Sequence, residues 1–261
     1  MPAQIFSIDE ILSYIESFAP QSLAEEWDNV GVMIGDRSSK VKNVVLSLDA
    51  SREAFDLCEE TGSELLITHH PFIFTPISSI DYQTPQGALI RDFISKNITV
   101  YSAHTNLDRA NGGVNHALAA IIGLAIPMTI TGVSYGLCGD LREIENLFAL
   151  SARVKRLLAG FGMFINMDCD RQIGRVFLQG GAFDSAAIPE LGKANVDLVI
   201  SGEIKYHDMV SLRQNGIAAL SVGHDVSERI VLPSLMTKLN LQFPGLGVAT
   251  SAGLDYNKIV F

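Results

Sequence analysis

Six side chains in this sequence have the types and spacing to bind a cation or move a proton: His69 and His70 in ITHHPFIF, His104 and Asp108 in VYSAHTNLD, and His224 and Glu228 in LSVGHDVSE. The set offers nitrogen and oxygen donors only. Imidazole and carboxylate without thiolate suit Zn, Fe, Mn or Ni, and a carboxylate can bridge two ions. One catalytic zinc needs only three protein ligands plus water. The larger set therefore points to two divalent ions, about 3.5–4 Å apart, with a shared water or hydroxide as nucleophile. Adjacent side chains on a strand face opposite ways, so His69 and His70 converge only if their strand ends at the pair. Pro71 biases His70 toward extended geometry and sets the exit, which leaves one imidazole for each ion.

These residues are carried by an alternation of short apolar runs and helical patterns. NVVLSLDAS (43–51), SELLITHH (63–70) and ITVYSAHTNLD (98–108) read as strands; REAFDLCEETG (52–62), GALIRDFISKN (87–97) and VNHALAAIIG (114–123) read as helices. The second half runs in the same order: RVFLQGGAFDS (175–185) is strand and turn, AAIPELGKAN (186–195) helix, VDLVISGE (196–203) strand, MVSLRQNG (209–216) helix, and IAALSVGHDVSE (217–228) strand and its exit. Such alternation makes βα units and a mainly parallel sheet. The repeated order predicts an α/β chain of two similar lobes, 1–128 and 129–261, related by an internal repeat. Aligned without gaps, VYSAHTNLD and LSVGHDVSE pair His104 with His224 and Asp108 with Glu228. ELLITHH against DLVISGE sets His69 and His70 opposite Gly202 and Glu203. All of these fall at strand ends, where open α/β sheets bind ligands. A rival two-metal fold, the α/β barrel, needs eight βα units and usually an HxH on the first strand. About six strands in two matched halves, without HxH, argue against it.

Other features have plainer readings. His116 lies within a helical pattern and reads as packed or solvated, and His207, in GEIKYHD, as structural or surface unless it lines the site with Lys205 and Tyr206. Glu203 is placed to orient a ligand histidine. QGGAFDS fits either backbone amides offered to an anion or a tight βα turn. Trp27, in EEWDNVGVMIGD beside the turn formers Asp28, Asn29 and Gly31, edges the site or simply builds the turn. Ser7 and Glu10 form a capping box, with Phe6 and Ile11 as a hydrophobic staple.

Composition narrows the partners. Nineteen Lys and Arg against 29 Asp and Glu give a net charge of −10, and the basic residues are scattered, so nucleic acid is not an expected partner. The apolar stretch ALAAIIGLAIPMTI (117–130) is too short for a bilayer, which takes about 20 residues, and contains Pro127; it reads as a buried helix and its exit. Acidic residues in MPAQIFSIDEILSYIESF stand where a signal peptide carries basic ones. Cys58, Cys138 and Cys169, widely spaced and without CxxC, read as idle thiols of a reducing cytoplasm.

Taken together, AEEWDNVGVMIGD, VLSLDAS, LLITHHPFIF, VYSAHTNLDRANGGVNHALA, GGAFDS, DLVISGEIKYHD and GHDVSER resemble, in order and over nearly the whole chain, the Nif-three-like dinuclear metal centre family, also named GTP cyclohydrolase type-two homologues. The resemblance implies two similar α/β lobes with the metal pair in the cleft between them, and a toroidal homohexamer. It maps the metal ligands onto His69, His70, Asp108, His224 and Glu228, and makes His104 a residue that assists catalysis or joins the coordination shell. It leaves two activities open: a metal-dependent hydrolase acting on a small nucleotide or heterocycle, or a metal-trafficking or cofactor-assembly protein without turnover. Departures are small. SAGLDYNKIVF lacks the proline usual in the family's terminal strand, and Pro233 comes early after GHDVSER.

Overall fold

The computed structural model of the chain describes residues 4–158 and 164–251. The chain divides into two compact units, one running to Ala110 and resuming at Leu232, the other Asn111–Val231. Apart from Ser251, the SAGLDYNKIVF segment lies outside the described residues.

The first unit opens with β1 (Phe6–Ser7) and α1 (Ile8–Phe18). The capping box forms: the Ser7 hydroxyl accepts the Glu10 amide at 3.2 Å, and the Glu10 carboxylate accepts the Ser7 amide at 2.7 Å. Ile8, Ile11, Leu12 and Ile15 recur at helical spacing and are buried. Phe6, the expected staple residue, stands edge-on to Phe243. Then come β2 (Gly31–Ile34), β3 (Lys40–Val41), β4 (Asn43–Ser47), α2 (Arg52–Thr61), β5 (Leu65–Thr68), α3 (Pro85–Ser95), β6 (Thr99–Ser102) and α4 (Thr105–Arg109). Gly62 closes α2 in the left-handed conformation, φ 61°, where a Cβ would be penalised. The strand expected to reach Asp108 stops at Ser102. The reason is local: the His104 carbonyl accepts the amides of Leu107 and Asp108 at 2.8 and 3.0 Å, while the Asn106 side chain takes the His104 amide at 2.9 Å. The His104-to-Asp108 step is therefore one helical turn.

The second unit holds α5 (Val114–Ile122), β7 (Leu124–Met128), β8 (Leu137–Asn146), α6 (Leu147–Leu158), β9 (Phe164–Ile165), β10 (Gln172–Ala182), α7 (Ile188–Lys193), β11 (Leu198–Glu203), α8 (Tyr206–Gln214), β12 (Ala218–Ser221) and α9 (His224–Glu228). The chain then passes through α10 (Val231–Gln242), whose first turn accommodates Pro233, to β13 (Gly247–Thr250), which returns to the first unit and pairs parallel with β4.

Among the described residues the first unit's main sheet has the order β13-β4-β5-β6-β2, parallel except for β2, and the second unit's the order β7-β8-β10-β11-β12-β9, with β10, β11 and β12 parallel. Neither order closes on itself, which excludes the eightfold barrel. Parallel strands buried on both faces read as continuous apolar runs, and the second unit shows why. Val176, Leu178, Leu198, Ile200 and Leu220 pack with Leu118, Ile122, Leu150 and Val154 on one face. Their alternates Phe177, Val199 and Ala219 pack with Leu191 and Leu212 on the other. In the first unit Val45, Leu66 and Val100 pack with Phe55, Leu89, Ile90 and Phe93.

The stretch 117–130 departs from its expected role as a buried helix and exit. Its helix ends at Ile122, and Leu124–Met128 is an edge strand with Ile126 and Met128 exposed. Pro127 is tolerated there because an edge strand can spare an amide. Among the described residues no helix is long and apolar enough to cross a membrane. Ser7→Ala, which removes the α1 cap, is expected to lower stability by about 1 kcal/mol, read as a lower urea midpoint with an unchanged slope.

Candidate metal centre

The first unit's site is set by strand register. β4, β5 and β6 lie parallel with Ser47 opposite Thr68 and Thr68 opposite Ser102, so the residues just beyond them emerge level. Pairing continues for a residue or two: the His69 and His70 amides donate to the Ser47 and Leu48 carbonyls at 3.1 and 2.8 Å, and the Ala103 amide to the Thr68 carbonyl at 2.9 Å. The Thr68 hydroxyl donates to the His70 carbonyl at 2.9 Å and takes the Ser102 hydroxyl at 2.8 Å. This folds the chain back at the end of β5, and the two adjacent imidazoles reach the same place. Ring centroids are 5.1 Å apart for His69 and His70, 5.1 Å for His69 and His104, and 5.7 Å for His70 and His104. One ligand atom from each lies within 4.8 Å of the others.

Which nitrogen faces the cluster is fixed by the other. His69 Nδ1 lies 3.0 Å from the Ala103 carbonyl, which can only accept, so Nδ1 carries the proton and Nε2 the lone pair. His70 Nδ1 is 2.8 Å from Asp49 Oδ1, and His104 Nδ1 is 2.8 Å from Asp28 Oδ1. This is the arrangement by which metal-binding histidines are oriented through a carboxylate or carbonyl behind them. Asp108, buried on α4, brings Oδ1 to 3.7 Å from His69 Nε2.

Asp28 also accepts the Thr105 amide at 3.1 Å and its hydroxyl at 2.5 Å. Burial alone would raise its pKa, but the bonds from His104 and Thr105 outweigh burial and hold it at about 2. Burial draws the His104 imidazole below its ordinary value despite the opposing pull of Asp28, which favours the neutral, lone-pair form.

In the second unit α9 sets His224 and Glu228 one turn apart, with His224 Nε2 3.2 Å from Glu228 Oε1. Glu203, expected behind a ligand histidine, places Oε2 3.4 Å from His224 Nδ1. Glycines let β10 approach: a Cβ on Gly181, φ 66°, would collide with the Glu228 carboxylate. Of the amides of QGGAFDS, Gly180 donates to Asn115 Oδ1 at 2.8 Å, Gly181 to Ser227 Oγ at 2.9 Å, Phe183 to the Glu203 carbonyl at 2.9 Å and Asp184 to Gln179 Oε1 at 3.2 Å. Amides engaged in this way support the tight-turn reading over the anion site.

His116 is half-buried on α5, and His207 is exposed on α8 against the Tyr206 ring. Cys58 is a buried free thiol, its pKa pushed up by burial to about 12. Two of the orienting residues escape sequence reasoning: Asp49, which it does not single out, and Asp28, which reads only as a turn former. Asp49 carries a usable signal, since it comes two residues after β4 as His70 comes two residues after β5; Asp28 carries none, because its partners lie far along the chain.

Residues 6–253 match the family model Duf34/NIF3 (NGG1p interacting factor 3). The chain belongs to the Duf34/NIF3 family. It is 31% identical over 259 residues to a GTP cyclohydrolase 1 type 2 homolog of Clostridium acetobutylicum, covering 97% of this chain and 96% of that one. It is 34% identical over 245 residues to the Clostridium perfringens protein of the same name, covering 89% and 90%. The fold matches the crystal structure of a Bacillus cereus protein related to NIF3 with a TM-score of 0.88 at 21% identity, over 99% of this chain and all (100%) of that one.

Asp28→Asn tests the carboxylate behind His104. A folded pKa of about 2 against an ordinary 3.8 means that the Asp28 contribution is full above about pH 4 and is lost as pH falls through about 2. The variant is expected to be about 1–2 kcal/mol less stable at pH 7, with the gap narrowing below pH 4 in urea unfolding.

Proposed function

We propose that this Duf34/NIF3 protein is a metal-dependent hydrolase in which His69, His70, Asp108, His224 and Glu228 hold two divalent ions, Zn, Fe, Mn or Ni, and that it acts on a nucleotide or heterocycle in the manner of a type-two GTP cyclohydrolase. The observation that carries the proposal is the convergence of three imidazoles, each with Nδ1 already committed. Histidines that only pack need no such common orientation, whereas ligands do. Ions bound there supply Lewis acidity and bring the pKa of a water toward neutrality. The chain's own residues do the rest. Ala103 and Asp49 keep the Nε2 lone pairs of His69 and His70 turned to the centre. His104, fixed through Nδ1 by Asp28, accepts and returns a proton at Nε2. The name of the curated relatives supports the substrate class, and the net charge of −10 puts the weight on the ring rather than on a triphosphate.

The same proposal takes the two units as copies of one α/β pattern. What supports it is that β6 and β12 are each succeeded within a few residues by a five-residue helix, α4 or α9, and that His104 and Asp108, like His224 and Glu228, stand four apart. Assembly as a homohexamer rests on the family resemblance and cytoplasmic residence on the three free thiols; mass by light scattering checks the first.

A second reading, metal delivery or cofactor assembly, is favoured by ligand accessibility, the His224 side chain being 41% exposed and that of His70 27%. Metal-loaded protein given GTP separates the two. Formate or a ring-opened product supports the hydrolase, while no product at any loading, with rapid transfer of metal to an acceptor apoprotein, supports delivery. Under either reading His70→Ala and Asp108→Ala are expected to lose at least half of the bound metal by elemental analysis, and full retention in both would overturn the ligand set.

A further inference from the structure

Two large aromatic side chains stand in solvent beside the histidine cluster. Trp27 is 59% exposed and Phe74 51%. Each meets the His104 ring edge-on, with centroids 6.2 and 6.3 Å away, and the two are 6.0 Å from each other. Interplanar angles of 75°, 88° and 72° make the three rings a mutually upright group. Exposed apolar side chains are ordinary when scattered; rings gathered at the lip of a site are not.

They are also held there. The segment carrying Trp27 is fastened to α4 by the Glu25 amide on Thr105 Oγ1 at 2.9 Å, by Asp28 on His104 and Thr105, and by the Arg109 to Glu25 ion pair at 2.6 Å. The Asn29 amide group donates to the Ile73 carbonyl at 2.5 Å, one residue before Phe74, and so fixes the two aromatic segments to each other. These bonds keep two rings out of the core. A hydrophobic residue that served packing alone would be turned inward.

We propose that Trp27 and Phe74 are the specificity-determining rim of the site and stack the planar heteroaromatic ring of the substrate beside His104. The inference rests on the proposed metal-dependent activity and adds the element that recognises the ring. Aromatic faces take any flat π-system and gain most from a purine-sized one. The exposed Glu26 carboxylate on the same segment favours a neutral or cationic ring over an anionic one.

Trp27 is the single tryptophan of the chain, so its fluorescence reports the rim directly. Metal-loaded protein is titrated with inosine, a neutral and soluble purine nucleoside, and with ribose as control, the metal content of each sample being measured in parallel. Saturable quenching by inosine and none by ribose is expected, with an apparent Kd raised at least fivefold in both Phe74→Ala and Phe74→Leu. Quenching that does not saturate, equal quenching by ribose, or an unchanged Kd in either variant would overturn the rim. Loss of metal from the wild-type sample would instead count against the metal centre, so the two failures are distinct.

Discussion

The site depends on one constraint, the in-register parallel pairing of β4, β5 and β6. Because Ser47, Thr68 and Ser102 are level, the chain leaves three neighbouring strands at the same height, and the residues at each exit are delivered to one place. Here those are Asp49, the His69 and His70 pair, and His104. A slip of one residue in β5 would reverse every side chain of the strand, sending Ile67 to the wrong face and separating the imidazoles. The buried apolar runs that fix the register for stability therefore also fix the chemistry.

The arrangement is polar, and burying polar groups is costly unless they are satisfied. The cost is met by pairing each imidazole through Nδ1 and by giving the buried Asp28 carboxylate four donors. In the second unit, Gly181 and Gly202 meet the same problem through size, leaving room for Glu228 and Ser227 against the backbone of β10 and β11. Folding and function meet in these residues: removing one partner leaves a buried charge or lone pair with nothing to face.

Much of this is legible in the sequence, and the exceptions have physical causes. Alternating apolar runs and helical patterns mark the α/β class and most central strands, and strand-end histidines mark the site. HTNLD reads as strand because its His and Asp sit beyond an apolar run, yet its Asn106 side chain takes the His104 amide, the His104 carbonyl closes a helical turn, and the four-residue step is helical. Ile126 and Met128 look buried by composition but lie on an edge strand. Asp28 is hidden because a turn-forming aspartate carries no local mark of a partner such as Thr105, which folding brings to it from far along the chain.

The central claim is that the Nε2 atoms of His69 and His70 are metal-facing because their Nδ1 atoms are committed elsewhere. Anomalous diffraction from crystals grown with manganese or zinc tests it directly. The account predicts anomalous peaks within bonding distance of His69 Nε2 and His70 Nε2, with Nδ1 still on Ala103 and Asp49. Peaks on Nδ1, or none at these residues in crystals whose metal content is confirmed, would contradict it.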